Sequence, residues 1–240
     1  MKATHWEFAN RALLIGLIFG CGFSLYALDH QNAAAALANW LEARTRVDAG
    51  LLVRTQFALA ALVLALAALL RTWASSYLRA GVVYATEVKT ESLVAAGPYR
   101  RVRNPLYLAS ILLALGMGAV MSRAGFLLAV VAMTLFCYRL ILREESELAV
   151  THGAAYQQYR RAVPRLWPAL QPRIASAGQP AQWSAGFKAE FWCWGFAAAV
   201  AALAATLSVV WFYAILAASI AVLWFTSALL GKKHDAPVSR

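Results

Sequence analysis

Residues 97–108 read GPYRRVRNPLYL, and residues 144–168 read EESELAVTHGAAYQQYRRAVPRLWP. Each is an Arg-rich polar segment set against the end of an apolar run. Only one hydrophobic stretch, residues 106–142, separates them, and the polar pair Ser122-Arg123 breaks it in the middle. Such a stretch is a helical hairpin that returns the chain to the membrane surface it left. Two segments distant in sequence are therefore expected to meet on one side of a bilayer and to form one site.

The composition agrees with a membrane setting. Of 240 residues, 62% are hydrophobic and only 14% charged, which is not the balance of a soluble globular domain. The net charge of +11 could suit nucleic acid, but the basic residues fall between apolar runs, with no recognition motif. They are better matched to topology signals and to anionic lipid head groups, so nucleic acid is not an expected partner. Cys21, Cys137 and Cys193 are widely spaced within apolar runs, which offers no disulfide framework and no metal-type pair. Glu7 and Arg11 precede the first apolar run with no small-x-small cleavage site after it, the pattern of a retained first span.

In chain order, residues 12–28 form an uncharged first span whose Gly16 and Gly20, followed by Gly22, would admit a neighbouring helix. Residues 29–50 are a polar connection with an Ala-rich helical centre, and residues 51–70 a second span that continues into the head-group region with Trp73 and Tyr77 as anchors. Residues 82–96 are expected to lie on the membrane as an extended loop. Asn104 then caps, and Pro105 starts, a third span over residues 106–121, and residues 124–142 form a fourth that is interrupted only by Arg139. After a polar linker at 171–182, residues 191–230 contain no charge. At about 1.5 Å per residue they exceed one bilayer crossing and make two.

The expectation is thus an all-α, polytopic membrane bundle of about six spans with a cofactor-binding cap on the cytoplasmic side. It divides into N-terminal helices (1–96), a core (97–172) and a linker with a C-terminal helical pair (173–240). Seventeen Lys and Arg fall on the side of the N-terminus, against four on the other (Arg44, Arg46, Arg54, Arg123). That bias puts both termini and both polar stretches in the cytoplasm, as for a bacterial inner membrane protein.

Each stretch has chemical content of its own. Arg100, Arg101 and Arg103 beside a helix start favour a carboxylate or phosphate, or clamp a head group. Arg139, Arg143 and Glu147 share a helix face, and Glu144 and Glu145 begin a charged helix end at the base of a span. Ionisable groups there are costly unless paired or solvated in a cavity, which makes either a site or an ordinary snorkelling helix end. Tyr156, Tyr159 and Arg160 recur at helical spacing on a face that could stack on a flat group of the substrate or anchor at the interface.

Together the two stretches resemble the isoprenylcysteine carboxyl methyltransferase and phospholipid methyltransferase superfamily of integral membrane enzymes. The shared pattern is G-P-Y-x-x-x-R-[HN]-P-x-Y, followed by E-E-x-x-L-x-x-x-x-G-x-x-Y-x-x-Y and V-P, over residues 97–168. The resemblance implies S-adenosylmethionine cradled by Gly97, Pro98, Tyr99, Arg103, Asn104, Pro105, Tyr107 and Leu108. Glu144 and Glu145 complete that pocket, and Arg139 or Arg143 orients the acceptor. Asn104 stands where many relatives have His, which excludes an essential imidazole at that position. The implied reaction is methyl transfer to a lipophilic or lipidated acceptor, with isoprenylcysteine-type carboxyl O-methylation foremost and phospholipid N-methylation next. Sterol-type reductases that use NADPH share an Arg-x-Pro-x-Tyr segment but add polar residues where this chain has Leu106 and Ala109. A non-catalytic scaffold is the remaining alternative.

Overall fold

The structure, a computed structural model, describes residues 2–78, 95–176, 178 and 180–234, with side chains as far as residue 222. Residues 82–94 of the expected surface loop lie outside the described residues. The rest is helical: α1 (His5–Ala9), α2 (Arg11–Ser24), α3 (Ala33–Thr45), α4 (Ala49–Ser75), α5 (Pro105–Gly118), α6 (Arg123–Ala162), α7 (Trp183–Thr206) and α8 (Val209–His234).

Short polar residues set the helix starts. Thr4 and Glu7 form a reciprocal capping box on α1, Asn32 accepts from the Ala35 N–H, Asp48 from Leu51 and Ser122 from Gly125. Asn104 departs from this pattern. Its side chain makes no capping bond on α5, because the amide is turned toward Glu145 and the Arg165 carbonyl. Pro105 still opens the helix, where its missing N–H costs nothing. At the other end of the molecule, the break between α7 and α8 falls at Leu207–Ser208, with Leu207 at φ 54°.

Three helices, α4, α6 and α7, are long and apolar enough to cross a membrane; α2 with its 3-10 extension, α5 and the first part of α8 are shorter apolar helices. The residues of the six expected spans fall in these three long and three short helices. The 14 residues of α5 reach only about 21 Å, less than a hydrocarbon core, so a short span relies on its neighbours. In contrast, α6 does not stop at the bilayer edge. It runs 40 residues, out of the apolar segment and through the acidic stretch, and bends at Gly153 (φ 50°, ψ −122°).

Helix α4 is the hub, lying against α7 most extensively and then α5, with α3 along its first half. Leu64, Ala67, Ala68, Leu113, Met117 and Val200 are buried in this core. Lipid tails are as apolar as these side chains, so close fit rather than water exclusion holds such helices together. Small residues permit it: Gly116 meets Leu64 and the Ala60 carbonyl, and Gly186 sits on the backbone of Thr72 and Ser76. Of Gly16, Gly20 and Gly22, all three expected to let a helix approach, Gly22 meets Gly125 in the same way, whereas Gly16 and Gly20 are exposed.

The two ends of the bundle differ. At one end, Asn32 donates to the carbonyls of Ala119 and Met121, Tyr26 donates to Val120, and Asp29 holds Arg123. The opposite end gathers the start of α5, the second half of α6 and α1, and that is where the polar stretches lie.

Candidate active site

The GPY turn is a 3-10 segment, Gly97–Arg100, entered with Gly97 at φ 52°. A side chain there would be strained and would also collide with the Tyr77 ring beyond α4, so this position requires glycine. Pro98 and Ala96 are buried beneath the turn. The chain then reaches Arg103 and Asn104, and both side chains point across to α6.

Glu145 is where the two stretches meet. Its carboxylate accepts from Arg103 (Nη2 at 3.0 Å), Asn104 (Nδ2 at 3.1 Å) and Arg165 (Nη2 at 2.9 Å). Arg103 and Glu145 side chains are each only 7% exposed. Planar guanidinium forks suit this sharing, and the charges are too buried for any one to stand unpaired. Arg103 also donates to the carbonyls of Val163 (3.0 Å) and Arg160. Backbone bonds extend the join: Arg103 N–H to the Pro164 carbonyl, Ala169 N–H to Arg101 and Arg173 N–H to Arg100, at 2.8 to 2.9 Å. Residues 163–174 are thereby laid along residues 100–104 as a cap.

Beside this clasp, the Tyr107 hydroxyl donates to Glu144 at 2.7 Å. Arg11 of α2 supplies a positive charge that acts on Glu144 and on Tyr107. Tyr107 packs against Phe8, Phe136 and Leu140, which seals the pair on the side of the N-terminal helices. Leu108 is half-buried and Pro105 buried in the same first turn of α5.

Not every residue expected at the site is free to act there. Arg139 binds Glu7 of α1 at 2.7 Å, and its carbonyl accepts from the Ala3 N–H. Arg143 pairs with Glu147 at 2.7 Å and lies over the Phe8 ring, while its buried Nε–H has no hydrogen-bond partner. Tyr156 and Tyr159 do not offer an open stacking face. Their rings are buried against Val163, with centroids 6.0 Å apart, and the Tyr159 hydroxyl donates to the Tyr99 carbonyl at 2.8 Å. Arg160 is exposed and gives only its carbonyl to the clasp.

Sequence reasoning missed a second polar cluster. Arg71 of α4, Glu190 of α7 and Ser110 of α5 meet in the interior. Arg71 Nε lies 2.5 Å from Glu190, its Nη1 is 3.1 Å from Ser110, and Ser75 donates to Glu190 at 2.7 Å. Arg71 opens the stretch expected to carry the second span into the head-group region, and Glu190 directly precedes the uncharged run of residues 191–230. A charge of each sign at the edges of two apolar helices was the available signal.

Residues 55–155 match the family model described as phospholipid methyltransferase. This segment holds the GPY turn, α5 and the Glu144-Glu145 pair. That family model falls within the superfamily of the isoprenylcysteine and phospholipid methyltransferases. From here we call residues 55–155 the family segment. A curated relative, the cobalt-zinc-cadmium resistance protein CzcN of Cupriavidus metallidurans, is 32% identical over 89 residues. The match covers 37% of this chain and 41% of CzcN, so it spans about two fifths of that relative's length. No solved structure matches.

Proposed function

We propose that the protein is an integral membrane methyltransferase that takes its methyl group from S-adenosylmethionine and transfers it to a lipophilic acceptor. The observation that supports this most is the joining of the two stretches: Tyr107 with Glu144, and Asn104 with Glu145, on adjacent helices at one end of the bundle. The residues suit the cofactor chemically. Glu144 places a carboxylate, held among the described residues by a hydroxyl and a more distant arginine, where it complements a sulfonium or an ammonium group. S-adenosylmethionine, when bound, supplies a methyl group on a positively charged sulfur.

What the protein contributes is alignment and dryness. In-line displacement needs nucleophile and methyl held close and collinear, and positioning of that kind supplies about 7–11 kcal/mol. The apolar wall of Phe8, Phe136 and Leu140 keeps water from the Tyr107–Glu144 pair, which favours a nucleophile that must shed its hydration. Glu145 acts through the clasp and fixes the cap over residues 100–104.

For the acceptor we favour carboxyl O-methylation of the isoprenylcysteine type. The paired motifs of residues 97–108 and 144–168, which resemble those of that enzyme class, support it. A phospholipid amine is the second reading. Glu144 favours it, since an amine must lose a proton and a carboxylate beside it can accept one. The positive-inside bias supports a cytoplasmic position for this end of the bundle. The test is incubation of the protein in nanodiscs with methyl-labelled cofactor and either a prenylated-cysteine carboxylate or phosphatidylethanolamine. A base-labile labelled ester is expected. Label in phosphatidylethanolamine would select the second reading. No label in either, together with no binding of S-adenosylhomocysteine, would overturn the proposal.

A further inference from the structure

Residues 163–174 also present an outer face. Trp167 is 86% exposed and Leu170 is 94% exposed, the largest exposures of any apolar side chain in the cap. They are held there firmly. The backbone of this segment is bonded to residues 100, 101 and 103, Arg101 donates to the Leu170 carbonyl, and Arg100 Nε donates to the Ile174 carbonyl at 2.9 Å. Two bulky apolar groups fixed outward on a stapled segment call for a cover.

The depth of the segment points to what covers it. Arg165, two residues before Trp167, donates to the hydroxyl of Tyr138 at 2.9 Å, and Tyr138 lies within the apolar part of α6 and is 41% exposed. The same guanidinium is held by Glu145, three residues past the last apolar residue of that run. Asn104, which donates to the Arg165 carbonyl, adjoins the first residue of α5. The segment therefore starts at the level where two membrane helices leave the hydrocarbon. Tryptophan is the side chain most suited to that level, and Arg160, Arg161 and Arg173, before and after it in the chain, are exposed.

We propose that residues 163–174 dock on the anionic leaflet surface, with Trp167 and Leu170 inserted at the level of the head groups. This inference requires the membrane setting and not the methyltransferase reading. An aqueous protein partner is the competing occupant, but a surface level with the lipid interface is covered first by lipid.

The experiment uses the full chain with Cys21, Cys137 and Cys193 replaced by serine or alanine, reconstituted in nanodiscs. Leu170→Cys, Trp167→Cys and, as a control on an exposed helical position, Gln158→Cys each receive an environment-sensitive NBD label. With 30% phosphatidylglycerol, the labels at 170 and 167 are expected to emit at shorter wavelength than at 158, to resist iodide and to be quenched by lipids spin-labelled near the head group. In phosphatidylcholine alone the lipid quenching should fall at least twofold. Water-like emission and full iodide access at 167 and 170 in both compositions would overturn the proposal and leave the face to an aqueous protein partner. Equal insertion in both compositions would overturn its electrostatic part. Both positions are exposed, so neither label disturbs the fold.

Discussion

Removing Glu145 tests whether the cap is held by the clasp. Glu145 accepts from Arg103, Asn104 and Arg165. Glu145→Ala leaves the Arg103 guanidinium buried without its carboxylate, and breaking a buried pair by deleting one partner costs about 3–5 kcal/mol. The Arg165 bond adds little to that, because its side chain is 28% exposed and solvent screens the lost charge. Glu145→Gln keeps one acceptor oxygen, so about half the loss is expected. The core packing of α4, α5 and α7 does not involve Glu145, so the loss falls on local opening of the cap and not on the bundle. Hydrogen exchange reads this directly. The amides of Arg103, Ala169 and Arg173 donate across the join, and their protection should fall by about 100-fold to 4,000-fold in the alanine variant, at about 1.4 kcal/mol per tenfold. Core amides of α4 should keep theirs. Unchanged protection at those three amides in a folded Glu145→Ala protein would refute the clasp.

Further outcomes follow from other pairs. Glu190→Ala should lower thermal stability in detergent by about 3–5 kcal/mol, while Arg71→Met with Glu190→Leu should restore most of it, since an apolar pair replaces a buried ionic one at small cost. A double variant no better than the single would mean that Ser75 and Ser110 depend on the charges. Gly97→Ala should weaken S-adenosylhomocysteine binding by about tenfold or more in calorimetry, because φ 52° and the Tyr77 ring exclude a methyl group. The Arg123 guanidinium, and then the Ala124 N–H, hold the Asp29 carboxyl down at about 2, from an ordinary 3.8. A depressed carboxyl stabilises the fold above its unfolded value and loses that contribution as pH falls toward 2. Stability should therefore decline between about pH 4 and pH 2, and Asp29→Asn should flatten the decline in an acid titration followed by circular dichroism.

Much of this arrangement was legible in the sequence because hydrophobic length and turn chemistry are local. The hairpin after Pro105, the turn at Ser122 and the paired motifs needed only spacing. The partners of charges were legible only where they are local. Arg143 and Glu147 stand four apart on one helix face and do pair, whereas nothing local says that Arg139 turns to Glu7. That choice depends on where α1 crosses α6. Tyr156 and Tyr159 were misread for a related reason. Their spacing marks one face of a helix, but the bend at Gly153 decides that this face turns inward against Val163.

One consequence concerns the family segment itself. Two of its arginines sit within or at the edge of apolar helices, and each is answered by a carboxylate from outside residues 55–155. Glu7 of α1 meets Arg139, and Glu190 of α7 meets Arg71. An arginine at such a depth is tolerated only when paired or solvated. Helices α1 and α7 therefore do more than pad the α5–α6 hairpin with apolar surface. They supply the negative charges that let the hairpin and α4 sit where they do, with the Tyr107–Glu144 pair between them.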